Sequence, residues 1–143
     1  MKNHITSWLK VAIGFQLLSA ALHSLSFVFS PQGQNETEKQ MLDLMNNYKM
    51  DMGAGFHKTM GQIFISVSAC FTLIFIFGAA ISAYLIRTNA PVALVRGIIS
   101  IQALVFGAVF LVALFFAFLP PITCAGLVFF FLAVSYFRLK PAV

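Results

Sequence analysis

Residues 36–51, ETEKQMLDLMNNYKMD, hold all four acidic side chains of the chain: Glu36, Glu38, Asp43 and Asp51. Beyond Asp51 every charged residue is Lys or Arg. Three tracts without a formal charge lie around this stretch: Val11 to Asn35, Thr59 to Ile86, and Gly97 to Phe137, the last broken by Pro120-Pro121. Hydrocarbon excludes charge at a cost of about 2.5–3.5 kcal/mol per Asp, Lys or Arg at a helix centre. A chain that confines its acids to one segment and clears three long tracts of charge reads as an integral membrane protein with one wet loop.

Composition supports this. Hydrophobic residues make up 60% of the 143 residues and charged ones 9%, against about 45–50% and about 25% in soluble domains. The length fits one domain, 1–143. The net charge of +5 does not indicate a nucleic-acid partner, because no basic cluster exists; the nearest is Arg138-Leu139-Lys140. Flanking charges that set membrane topology explain it better. Cys70 and Cys124 sit within apolar tracts, outside any CxxC or Cys/His ligand spacing, and behave as small hydrophobes. The apolar run after Lys2 and Lys10 lacks an Ala-x-Ala cleavage site, so it reads as an uncleaved first span.

A bilayer core about 30 Å thick takes roughly 20 helical residues. The chain then has room for four spans, at about 5–29, 56–86, 92–119 and 121–138. The first stops at the turn signal Ser30-Pro31-Gln32-Gly33, Pro91 opens the third, and Pro120-Pro121 reverses the chain before the fourth. The expected fold is an all-α, up-down four-helix membrane bundle with an amphipathic helix in the first outer loop. With the N-terminus inside, Lys2, Lys10, Arg87, Arg96, Arg138 and Lys140 lie on the inner face. Lys39, Lys49 and Lys58 fall outside with all the acids, so both termini are expected in the cytoplasm. Gly78-x3-Ser82, Ala79-x3-Ala83 and Ala103-x3-Gly107 are small-residue pairs that let membrane helices approach closely.

The outer helix is expected at about 35–52. Asn35 and Glu38 form a capping-box pattern, and Glu36 and Glu38 place negative charge at the helix's positive end. Met41, Leu44, Met45, Tyr48 and Met52 recur at three- and four-residue spacing on one face. Gly53-Ala54-Gly55 then reads as a joint that lets this helix close as a lid, or else lie on the membrane surface.

The first span carries a polar stripe: Gln16, Ser19, His23, Ser26 and Ser30, spaced 3, 4, 3 and 4 residues apart. Such a face turns toward protein or water, since unpaired polar groups against lipid cost several kcal/mol. His57, Gln62 and Ser66 open the second span, and Gln16 and Gln102 lie deep enough to pair across the bundle. Three readings stay open. The polar residues fix helix register; or Gln16, Ser19, His23, Ser26, His57, Gln62 and Ser66 line an outer-half pocket for a lipid-like or small ligand; or His23 and His57, with Met52 and the loop methionines, hold haem or copper. The cofactor, if any, is left unknown. Neither a Ser/His/Asp set nor an HExxH motif is present, so a binding or accessory role is expected before an enzymatic one. A transporter of four spans would need a homo-oligomer or a partner subunit.

His23-Ser24 in the first span, the joint Tyr48-Lys49-Met50-Asp51-Met52-Gly53, and His57 with Thr59 together resemble an uncharacterised group of small bacterial four-span integral membrane proteins. The resemblance covers about the first half of the chain. It implies a bacterial inner-membrane setting and a four-helix bundle, and implies no activity or cofactor.

Overall fold

A computed structural model describes residues 2–25, 27–29 and 31–139, with side chains from residue 7 onward. The element order is α1 (Lys2–Leu25), α2 (Glu36–Asn47), β1 (Lys49–Asp51), β2 (His57–Thr59), α3 (Met60–Arg87), α4 (Val92–Phe116) and α5 (Leu119–Arg138). Among the described residues four stretches are long and apolar enough to cross a membrane: Ser7–Leu25, Met60–Arg87, Val92–Phe116 and Leu119–Arg138. The chain forms two compact units, one of Met1–Ala20 with Ile74–Val143 and the other of Ala21–Leu73.

In the first unit, segments of α1 and α3 join α4 and α5 around one core. Leu9, Ala12, Phe75, Ile99, Phe106, Val128 and Leu132 are buried in it. Phe131 stacks on both Trp8 and Phe15, with centroids 6.0 and 5.0 Å apart. The turn between α3 and α4 is a Schellman cap: Ala90 N–H donates to Leu85 O and Asn89 N–H to Ile86 O, with Asn89 at φ 50°. Asn tolerates this left-handed position, and Pro91 beyond it stops the helix from continuing.

Helices α4 and α5 interlock through two reciprocal contacts. A Cβ at Gly107 would stand 3.1 Å from the Phe129 ring, and one at Gly126 would stand 2.9 Å from the Phe110 ring. Each helix therefore seats an aromatic ring on a bare patch of its partner's backbone. At the basic end Arg96 lies over the Tyr136 ring, 4.5 Å from its centroid, and its Nη1 donates to Leu139 O at 3.1 Å.

The second unit departs from the expected outer helix. Its start is as expected: the Asn35 side chain accepts from Glu38 N–H at 2.9 Å, and Asn35 Nδ2 donates to Glu38 Oε1 at 3.0 Å. The helix ends at Asn47, however, and 49–51 is a strand paired antiparallel with 57–59. The Gly53-Ala54-Gly55 segment is the hairpin turn. All three residues have positive φ, at 83°, 51° and 80°, a region glycine enters without steric cost. The Asp51 carboxylate accepts from Gly53 N–H at 2.8 Å and pins the corner.

Span ends shift as well. Helix α1 ends at Leu25, and Phe27–Phe29 fold back in a turn onto the Ser24 and Leu25 carbonyls. Helix α3 starts at Met60 because the residues before it belong to β2. The reversal before α5 occurs at Ala117 and Phe118, and both prolines enter the first turn of α5. Their missing N–H groups have no intrahelical partner there in any case.

The ring-on-glycine contacts give a test. Gly126→Leu should lower thermal stability in detergent by about 1–3 kcal/mol through overpacking. Adding Phe110→Ala should recover part of the loss, as read by a thermal melt of each variant. Equal stability of Gly126→Leu and the parent would contradict this packing.

Candidate functional site

Periodicity on α1 sets the first cluster. Gln16 is 0% and Ser19 1% exposed, and His23 on the same face is half-buried. Leu17 and Leu18 on the opposite face are 49% and 51% exposed. The polar stripe thus turns into the protein. Ser26, a further candidate on that face, lies outside the described residues, as does Ser30.

Gln16 Nε2 donates to Gln102 Oε1 at 3.1 Å. The same oxygen accepts from Ser82 Oγ at 3.3 Å, and Gln102 Nε2 returns a bond to Ser82 Oγ at 3.2 Å. Three helices therefore meet at one buried amide–hydroxyl cluster, and the pairing of Gln16 with Gln102 is as expected from their depth. Gly78 makes room for it. A Cβ there would stand 2.6 Å from Gln16 Nε2 and 3.2 Å from the Phe106 ring. Gln16 Oε1 is buried with no hydrogen-bond partner among the described residues, and so is Thr72 Oγ1 in α3. Amides and hydroxyls of this kind neither titrate near neutral pH nor act as ready nucleophiles. The cluster can hold and orient; it supplies no catalytic group.

The second unit places the remaining candidates on different surfaces. The His23 ring stacks on Phe71, with centroids 5.7 Å apart and planes 11° from parallel. His57 is exposed on β2, opposite Asp51, rather than on the opening turn of a helix. Met52 is 54% exposed and follows β1, its N–H donating to Phe56 O. Among the described residues no group of three or more His, Cys, Asp or Glu could hold a metal ion.

Gln62 and Ser66 are exposed on α3. They line a groove of about 340 Å³ together with Lys58, Ile63 and Ile65. Neither histidine is among its lining residues. Thr59 and Gln62 form a capping box that sequence reasoning overlooks, although the T-x-x-Q spacing signals it. Thr59 N–H donates to Gln62 Oε1 and Gln62 N–H donates to Thr59 Oγ1, both at 3.2 Å. Lys58 is likewise a groove residue, where its sequence context suggests a topological charge and, with Lys49, an ion-pair partner for Asp51. Ser82, a small packing residue by its spacing from Gly78, is in addition a hydrogen-bond partner.

The apolar face of α2 is uncovered. Met41 is 52%, Leu44 62% and Tyr48 64% exposed, and Met45 on the same face is half-buried. The C-terminal end of α2 does approach α3 closely: a Cβ at Gly61 would stand 2.6 Å from Asn46 Oδ1. Asp51 has the Gly53 N–H as its partner, not a lysine. Strand alternation points Asp51 and Lys58 to opposite faces of the hairpin. Among the described residues the ion pair present is Lys39–Glu36. No known protein family, curated protein or solved structure matches this chain.

The amide cluster predicts a measurable coupling. In a double-mutant cycle of Gln16→Leu and Gln102→Leu, the interaction term should be about 0.6–2 kcal/mol, the range of intramembrane hydrogen bonds. The readout is unfolding in mixed micelles. Strict additivity would contradict a direct bond.

Proposed function

We propose that this chain is an integral protein of a bacterial inner membrane, with four spans in up-down order and both termini in the cytoplasm. It serves as a binding or accessory protein rather than an enzyme, and it takes a lipid-like or small ligand at its outer end.

The observation that carries this reading is inverted polarity. Gln16, Ser82, Gln102 and Ser135 are 0%, 0%, 8% and 1% exposed, while Leu104, Phe115 and Phe137 are 74%, 79% and 78% exposed. In water that arrangement would expose a large apolar surface and bury amides; in hydrocarbon it is the expected one. The amide cluster also supports alternating helix directions. Lys10 lies six residues before Gln16, Arg96 six before Gln102, and Arg87 five after Ser82. At 1.5 Å per residue, three basic side chains then fall about 8–9 Å from one level, on one side of it. Arg96 touches Tyr136 and Leu139, which brings Arg138 to the same end. Positive charge gathered at one end favours that end as cytoplasmic. On this topology residues 26–59 are outside.

A binding role agrees with side chains that donate and orient without a nucleophile–base pair. The topology is tested with Asn47→Cys in a Cys70→Ser, Cys124→Ser background. A membrane-impermeant maleimide should label intact cells at Asn47→Cys. Labelling only after permeabilisation would reverse the orientation.

A further inference from the structure

We infer that the groove on the first turns of α3 holds the head of an anionic bilayer lipid, whose acyl chain lies along the helix below it. This rests on the reading that α3 crosses a bilayer.

The groove is lined by Lys58, Gln62, Ile63, Ile65 and Ser66. Its polar groups are donors. Lys58 carries the formal charge, and among the described residues it has no ion-pair partner. Gln62 has its carbonyl oxygen engaged by Thr59 N–H, which leaves its amide N–H groups to donate outward. Ser66 adds a hydroxyl. Among the described residues no carboxylate lines the groove, and Asp51, the nearest acid in the strand register, faces the other side of the hairpin from Lys58. A cation with two neutral donors and no acid is a complement for a phosphate diester.

A lipid fits better than free phosphate because the helix face below these donors is apolar. Gln62, Ser66, Ala69 and Leu73 are spaced four, three and four residues apart, so they share one face of α3. Ile65 and Leu73 are 53% and 64% exposed. From Ser66 to Leu73 this face descends about 10 Å without a charge, within the roughly 15 Å depth of one hydrocarbon leaflet. The donors stand where a headgroup would be and the apolar track where its chain would be. Lys58 is held there by β2, whose pairing with β1 fixes its direction.

The test reconstitutes the full chain in nanodiscs of phosphatidylcholine with a minor fraction of phosphatidylglycerol, and counts co-purified lipid by native mass spectrometry. The parent should retain phosphatidylglycerol in preference to phosphatidylcholine. Lys58→Gln should reduce that preference roughly fivefold, the effect of one interfacial lysine, and Lys58→Arg should keep it. Lys39→Gln, which alters an exposed lysine on α2, should leave it unchanged. Leu73→Asn should weaken retention while sparing any binding of inorganic phosphate. Equal retention of both lipids, an unaltered preference in Lys58→Gln, or an equal loss in Lys39→Gln would overturn the site. Millimolar inorganic phosphate displacing the lipid completely, with no effect of Leu73→Asn, would overturn the lipid as occupant. Incorporation into pure phosphatidylcholine vesicles is scored separately: failure there overturns the spanning reading and the lipid site with it, whereas incorporation without selectivity overturns the lipid site alone.

Discussion

Gln16 lies in the middle of a helix long and apolar enough to cross a bilayer; on the membrane reading its amide has only the protein to bond to, which satisfies Nε2 and leaves Oε1 without a partner among the described residues. Lipid offers none, and an unsatisfied polar group in hydrocarbon costs several kcal/mol. That single requirement orients α1: the Gln16 face must turn inward, which sends Leu17 and Leu18 outward. It also calls for a partner amide at the same level on another helix, supplied by Gln102, and a close helix–helix approach, supplied by Gly78. Ser82 closes the cluster from α3. Apolar packing alone would not fix this register, because helices in lipid gain little from burying one apolar surface against another.

The remainder of the first unit is held by shape. Phe110 on Gly126 and Phe129 on Gly107 lock α4 to α5, and Arg96 over Tyr136 ties their ends near the basic face. Packing of this kind is the expected substitute for a hydrophobic driving force between membrane helices. The second unit obeys different rules. Its capping boxes, at Asn35–Glu38 and Thr59–Gln62, satisfy helix-end N–H groups with side chains, and its hairpin is set by left-handed residues 53–55 and by the Asp51 carboxylate.

The four apolar helices were legible from charge and hydropathy because the cost of charge in hydrocarbon acts residue by residue. The Gln16–Gln102 pairing was legible because depth along a helix is a simple function of residue count. The hairpin was not. Tyr48 and Met52 continue the three- and four-residue spacing of Met41, Leu44 and Met45, so local periodicity favours a longer helix. What ends it is the pairing of Lys49–Asp51 with His57–Thr59, a contact that periodicity does not encode. The apolar tract at 56–86 likewise carries His57 onto the opening of a helix, and with it the expectation of one pocket shared by His57, Gln62 and Ser66. Strand geometry instead puts Lys58 beside the α3 donors.

On the proposed reading the four apolar helices sit in hydrocarbon with the Gln16 stripe turned inward. Spin labels report this most directly, placed singly at Leu17, Ser19, Leu104 and Asn47 in a chain without Cys70 and Cys124 and reconstituted in vesicles. Labels at Leu17 and Leu104 should relax strongly with oxygen and weakly with a water-soluble nickel chelate. The label at Ser19 should be shielded from both, and that at Asn47 open to the chelate. Strong nickel access at Leu17 and Leu104 would contradict the account.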